Sequence, residues 1–179
     1  MPIKALKIKV STPTGPIPSG RGFYQLEEEA LYLPLHYPVA DERFFSYLES
    51  ETLSLQVDGQ GRLILAEITI PRRRWTVREN LVVPEKAEPV DIRFLDFRES
   101  FPAPAILSDR TRQNILIRFS RGPAVHNYFL AQNLIAQADA DSRLAAIWVS
   151  DIIDDMAGRE IAAWRKAVST GTPPAIPPR

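Results

Sequence analysis

The 179-residue chain has no cysteine, which removes disulfides, thiolate nucleophiles and zinc–thiolate sites and fits a reducing compartment. The cytoplasm is the expected location. Histidine occurs twice, at His36 and His126, and glycine eight times, mostly in turns, so a nucleotide-cradling loop has nowhere to form. No Ser-His-Asp spacing or Walker-type motif is present. Neither sign of charge dominates: 22 basic residues face 22 acidic ones, leaving no global field to draw the chain to nucleic acid or an anionic membrane. Long apolar runs are missing too. Nothing approaches the roughly 18 residues of a membrane span, and "MPIKALKIKVST" has charges where a signal peptide needs an apolar core, so insertion and export are not expected.

What is present is a 45% hydrophobic chain, long enough to bury a real core without a staple. Nine of its sixteen prolines gather in "TPTGPIPSG", "FPAPA" and "TPPAIPPR", marking loops and a tail. Between them the apolar residues recur with period two, the signature of half-buried strands. Leu6, Ile8 and Val10 alternate with Lys7 and Lys9; Leu31, Leu33 and Leu35 alternate after the acidic knuckle Glu27 to Glu29. "VDIRFLDF", "PAIL" and "NILIRFS" read the same way, while "ADERFFSYLES" could begin a short helix. "TLSLQV" and "RLILAEITI" flank Asp58-Gly59-Gln60-Gly61, which supplies the positive-φ chemistry of a tight hairpin turn.

"LQVDGQGRLILAEI" and "AQADADSRLAAIWV" lie about 81 residues apart and match at Gln56/Gln137, Asp58/Asp139, Arg62/Arg143 and Leu63/Leu144. The composition of Val125 to Val149 alone tolerates a helix, but this likeness predicts a second hairpin there. Upstream segments recur in the same order, which predicts a unit written twice. The expected fold is therefore mostly β (α+β), with two pseudo-repeated antiparallel units of about four strands each and one C-terminal amphipathic helix. The expected organisation is a first repeat over 1–81, a second over 82–149, a helix over 150–168 and a proline-rich tail over 169–179, with the halves packed as one unit. In that helix Ser150 caps, Asp151, Asp154 and Asp155 face the dipole, and Ile153, Met156, Ala157, Ile161, Trp164 and Val168 form an apolar stripe.

The stretch from Tyr24 through Glu29-Ala30-Leu31-Tyr32-Leu33 to Val57-Asp58, Gly61-Arg62-Leu63 and Glu67-Ile68 resembles a family of small uncharacterised bacterial β-rich proteins. The resemblance covers about 45 residues and implies a small antiparallel sheet. It brings no activity. The second copy departs from the pattern, with Ser142 in place of the turn glycine.

Several groups invite a chemical reading. Arg72, Arg73, Arg74 and Trp75, with Arg78 close behind, could grip phosphates and stack a base; pairing with Glu27 to Glu29 or with a partner's acids is the plainer use. His36 and His126 each follow a predicted strand and could form a paired site. Asp58, Asp139 and Asp141 lack the spacing of a calcium loop and read as turn residues. Asp151, Asp154, Asp155 and Glu160 put carboxylates on one predicted helix. The leading expectation is a non-enzymatic binding or assembly module acting through protein–protein contacts, without cofactor, metal or catalytic residue, and with a homodimer as the favoured partner. Phe44, Phe45, Tyr47, Tyr128, Phe129 and Trp148 supply the aromatic surface for it. The alternative is an enzyme with its site between the repeats, using His36 and His126 or the helix carboxylates. Nucleic-acid binding through the arginine run is weaker still.

Overall fold

A computed structural model describes residues 5–35, 46–96 and 99–170. The fold is mostly β with a single helix among these residues, as the alternating patterns predict. The strands are β1 (Ile8–Ser11), β2 (Phe23–Gln25), β3 (Ala30–Pro34), β4 (Ser46–Glu49), β5 (Leu53–Val57), β6 (Leu63–Ile68), β7 (Thr76–Val77), β8 (Glu88–Pro89), β9 (Asp91–Phe94), β10 (Glu99–Ser100), β11 (Ala105–Ser108), β12 (Ile115–Arg118), β13 (His126–Ala131), β14 (Leu134–Ala138), β15 (Leu144–Val149) and β16 (Ile153–Asp155).

They form two seven-stranded sheets and one two-stranded ribbon. The first sheet runs β10-β4-β5-β6-β3-β2-β16, and the second, taken from its opposite margin, runs β8-β13-β14-β15-β12-β11-β7. Both orders give the same succession of pairings: parallel, four times antiparallel, then parallel. The central hairpins also share an irregularity, a register shift between Gln56 and Val57 in one and between Gln137 and Ala138 in the other. A bulge at that point re-aims the last strand residue into the turn.

Each sheet is larger than the four strands expected, in part because short marginal strands are added at both ends. β10 and β16 return from late in the chain to flank the first sheet, while β7 and β8, from the connection after β6, flank the second. These marginal strands are two or three residues long. Short edges offer little unpaired backbone to another chain. β1 and β9 form the separate antiparallel ribbon, pairing Ile8 with Phe94 and Ser11 with Asp91.

One apolar cluster takes residues from all three sheets: Leu31, Leu33, Leu53 and Leu55 from the first, Ile115, Ile117, Leu134 and Ile147 from the second, and Ile8 and Phe94 from the ribbon. Alternation explains it, since these residues occupy every second position of their strands. Each fully buried Leu or Ile contributes on the order of 1.5–3 kcal/mol. The segment from Val125 to Val149 is strand, as the internal likeness predicts and against its helix-tolerant composition. "SYLE", read as a possible helix continuation, is β4; residues 41–45 before it lie outside the described residues.

The C-terminal helix begins later than expected. α1 spans Arg159–Thr170, and Ile153–Asp155 is a strand paired in parallel with Phe23–Gln25. Asp151, at φ 54°, and Gly158, at φ 66°, break the chain on either side of that strand. Ser150 does not cap: its N–H donates to the Asn133 carbonyl in a sheet turn. The cap comes from Asp155, buried at 3% exposure, whose carboxylate accepts from the N–H groups of Glu160 and Ile161, both at 3.2 Å. Of the predicted stripe, Ile161 and Trp164 pack on Ala30, Tyr32, Ile64 and Leu65, the outer face of the first sheet. Met156 is exposed and Ile153 belongs to the strand.

Candidate functional site

The two aspartate turns are built alike. Asp58 accepts from the N–H groups of Gln60 and Arg62 at 2.9 Å, and Asp139 accepts from those of Asp141 and Arg143 at 2.9 and 3.0 Å. In each turn the Asp N–H donates to the Arg carbonyl, at 3.0 Å in both. The positive-φ position is Gly61 (83°) in one and Ser142 (57°) in the other. These aspartates thus serve as turn acceptors. Each turn also bonds to the ribbon: Phe94 N–H donates to the Gly61 carbonyl at 2.7 Å, and Ile8 N–H to that of Ser142 at 3.1 Å. A third such turn joins β11 to β12. There burial pulls the Asp109 carboxyl upward, but hydrogen bonds from Asn114 and Thr111 outweigh it and hold the group below its ordinary range.

The arginine run is a 3-10 turn, Arg72–Arg74, rather than an extended strand. Arg72 pairs with Asp154 and lies 4.0 Å over the Tyr24 ring, and Arg73 pairs with Glu29, one of the acidic residues the sequence offered it. Arg74 is exposed. Trp75 is buried, its indole N–H donating to the Ile70 carbonyl at 3.0 Å and its ring meeting Tyr24 edge-on at 5.6 Å. An indole so placed is a core residue and offers no face to a base.

His36 lies outside the described residues, as do Phe44 and Phe45. His126 is exposed at the start of β13 and stacks on Tyr128 at 5.7 Å. Burial raises the Tyr128 hydroxyl's pKa, and the nearby Glu88 charge adds to that. The carboxylates placed on one helix by the sequence are not there: Asp151, Asp154 and Asp155 precede α1, Asp154 pairs with Arg72, and Asp155 is the buried cap. Of the aromatic residues expected to face a partner, Trp148 is 4% exposed within the single chain and Tyr128 and Phe129 are half-buried, leaving Tyr47 exposed. Among the described residues no group of three His, Cys, Asp or Glu could hold a metal, and no helix is long and apolar enough to cross a membrane.

One concavity is not foreseen from the sequence. A cavity of about 570 Å³ opens between the two sheets. Its floor is Leu6 and Leu144, tied by the Leu144 N–H to the Leu6 carbonyl at 2.8 Å. Phe101, whose N–H donates to the Glu49 carbonyl of the first sheet at 2.9 Å, and Phe119, whose N–H donates to the Ala145 carbonyl of the second at 2.8 Å, pack together along its side. Their rings are 5.8 Å apart. Arg118, Arg121 and Arg143 line the same cavity, with Asp139 the single carboxylate beside them among the described residues.

A smaller cavity, about 250 Å³, occupies the matching place beside the first turn, with Arg62 and Leu63 where the larger has Arg143 and Leu144. The loop Pro13 to Pro18 lines it, and Arg62 is clamped to Asp58 through Nε at 2.8 Å. Arg143, by contrast, is exposed and meets Asp139 through its backbone alone. No family model matches the chain, and no curated protein matches it either.

Proposed function

We propose that the chain is a non-enzymatic binding or assembly module that acts through protein–protein contacts, built from two copies of one β unit, over 1–81 and 82–149. It works in a reducing compartment, the cytoplasm, which the absence of cysteine suits. The copying is supported by the paired aspartate turns and by the common succession of pairings in the two sheets. The carboxylates that could do chemistry are used instead as turn acceptors, a helix cap and an ion-pair partner.

The observation that carries a partner surface is the connection between the sheets. Val77, Val82 and Val83 are 40%, 74% and 38% exposed within it, grouped in one short stretch that ends at Pro84. The favoured partner is a second copy of the chain. Light scattering over a range of concentrations tests this: the expected mass is twice 20.2 kDa, falling to the single value in the double variant Val82→Asp, Val83→Asp. A wild-type chain that scatters as one copy at every concentration overturns the homodimer.

A further inference from the structure

The larger cavity joins an apolar interior to a cationic lining. Leu6, Phe101, Phe119 and Leu144 give it an apolar interior. Arg118, Arg121 and Arg143 bring three guanidiniums to its lining against one carboxylate, and that carboxylate, Asp139, is already engaged by two backbone N–H groups. None of the three arginine side chains has a hydrogen-bonded or ion-paired partner among the described residues, a state they share with Arg74, Arg78 and Arg159 but, unlike those, in the lining of one cavity. Guanidiniums gathered without acids repel one another, and an anion lying among them relieves that repulsion through paired N–H donors.

The twin cavity acts as an internal control. It sits on the same scaffold beside the equivalent arginine, yet it has less than half the volume, and its Arg62 is neutralised by Asp58. The open, cationic character therefore belongs to the second turn alone and is not a by-product of the fold. A volume of about 570 Å³ falls in the range of small-molecule sites.

We propose that this cavity is a binding site for an amphipathic organic acid: an apolar chain or ring seated against the packed Phe101–Phe119 pair and over Leu6 and Leu144, with a single carboxylate held by Arg121 and Arg143 and supported by Arg118. The site is independent of the valine-bearing connection, so it stands whether or not the chain forms a dimer.

Calorimetric titration of the full chain with decanoate, decanol, decyl phosphate and inorganic phosphate tests it. Decanoate binds with saturation at one site, and decanol and inorganic phosphate bind at least about tenfold more weakly, as expected when both the charge and the apolar body contribute. Arg121→Ala and Arg143→Ala each weaken decanoate about ten- to hundredfold, and Ala103→Trp, which fills the mouth, abolishes the heat. Arg110→Ala, outside the cavity, leaves it unchanged. Thermal melts run alongside establish that each variant is folded; if Arg143→Ala is not, Arg121→Ala, on the exposed rim, decides the matter. Decanol binding as tightly as decanoate overturns the anionic part of the proposal. Inorganic phosphate binding as tightly overturns the apolar part and leaves an adventitious ion only. Decyl phosphate binding more tightly overturns the carboxylate. Arginine variants that bind like the wild type overturn the site altogether.

Discussion

Asp58 and Asp139, about 81 residues apart, do the same work in the same geometry: each side chain accepts the N–H groups two and four residues further on. They differ in burial. Asp58 is 0% exposed and also holds the Arg62 guanidinium, while Asp139 is half-buried and holds no side chain. Asp58→Ala therefore strands more unsatisfied donors and is expected to cost about 2–3 kcal/mol, against about 1 kcal/mol for Asp139→Ala. Urea unfolding of the two variants measures the difference, and equal costs would contradict the assigned roles.

The turn residues Gly61 and Ser142 predict opposite outcomes for opposite changes. A Cβ at Gly61 would lie 2.3 Å from the Phe94 carbonyl oxygen, a backbone atom that cannot swing aside, so Gly61→Ala destabilises by well over about 1 kcal/mol. Ser142 occupies the left-handed region at φ 57°, where a side chain is strained, so Ser142→Gly stabilises by several tenths to about 1 kcal/mol. Melting temperatures moving in opposite directions are the expected readout.

Tyr32 sits under the helix, buried at 2% exposure, with its hydroxyl donating to Glu28 and Arg165 above its ring at 5.1 Å. Burial first, and the Glu28 hydrogen bond second, push its pKa up to about 12. A raised folded-state pKa means the contribution to stability is complete below the unfolded value of about 10 and is lost as pH rises from there through the folded value. Tyr32→Phe should flatten stability between pH about 10 and 12 while the wild type declines. Denaturation midpoints across that window check it.

Asp155 is the residue that fastens α1 to the first sheet, since its backbone belongs to β16 and its carboxylate to the first turn of the helix. Asp155→Ala is expected to cost about 1–2 kcal/mol and to expose Trp164 on the sheet's outer face. Tryptophan fluorescence shifting to the red, with strand signal retained in far-UV circular dichroism, is the expected result. Asp155→Asn, which keeps an acceptor, should lose less.

Much of the fold is legible in the sequence because it rests on short-range rules. Period-two alternation marks β1, β3, β5 and β12, and Asp58 to Gly61 marks the β5–β6 hairpin. Residues 125–149 show local composition overruled: Ala, Leu and Gln tolerate a helix, and only the likeness to Gln56 to Leu63 identifies the strands. What fails is whatever depends on distant partners. Ser150 followed by aspartates looks like a helix start, but nothing local announces that Ile153 will pair with Phe23. The marginal strands β7, β8 and β10 are two residues long, too short for any periodicity. At the sites, Arg73 and Glu29 could be foreseen as a pair because both charges stand in obvious runs. The cavity could not. Its Arg143 is indistinguishable in sequence from Arg62, and the contrast between them arises from which side chain Asp58 holds and Asp139 does not.

The borrowed margins of the two sheets have a mechanical corollary. Because β10 and β16 close the first sheet, while β7 and β8 close the second, neither half of the polypeptide can be cut out with its architecture complete. A protease nick in the exposed stretch around Val82 would yield fragments that stay clasped, the first still holding β7 of the second sheet and the second holding β10 and β16 of the first. The molecule is spliced like two rope ends, and pulling the halves apart would mean unravelling both.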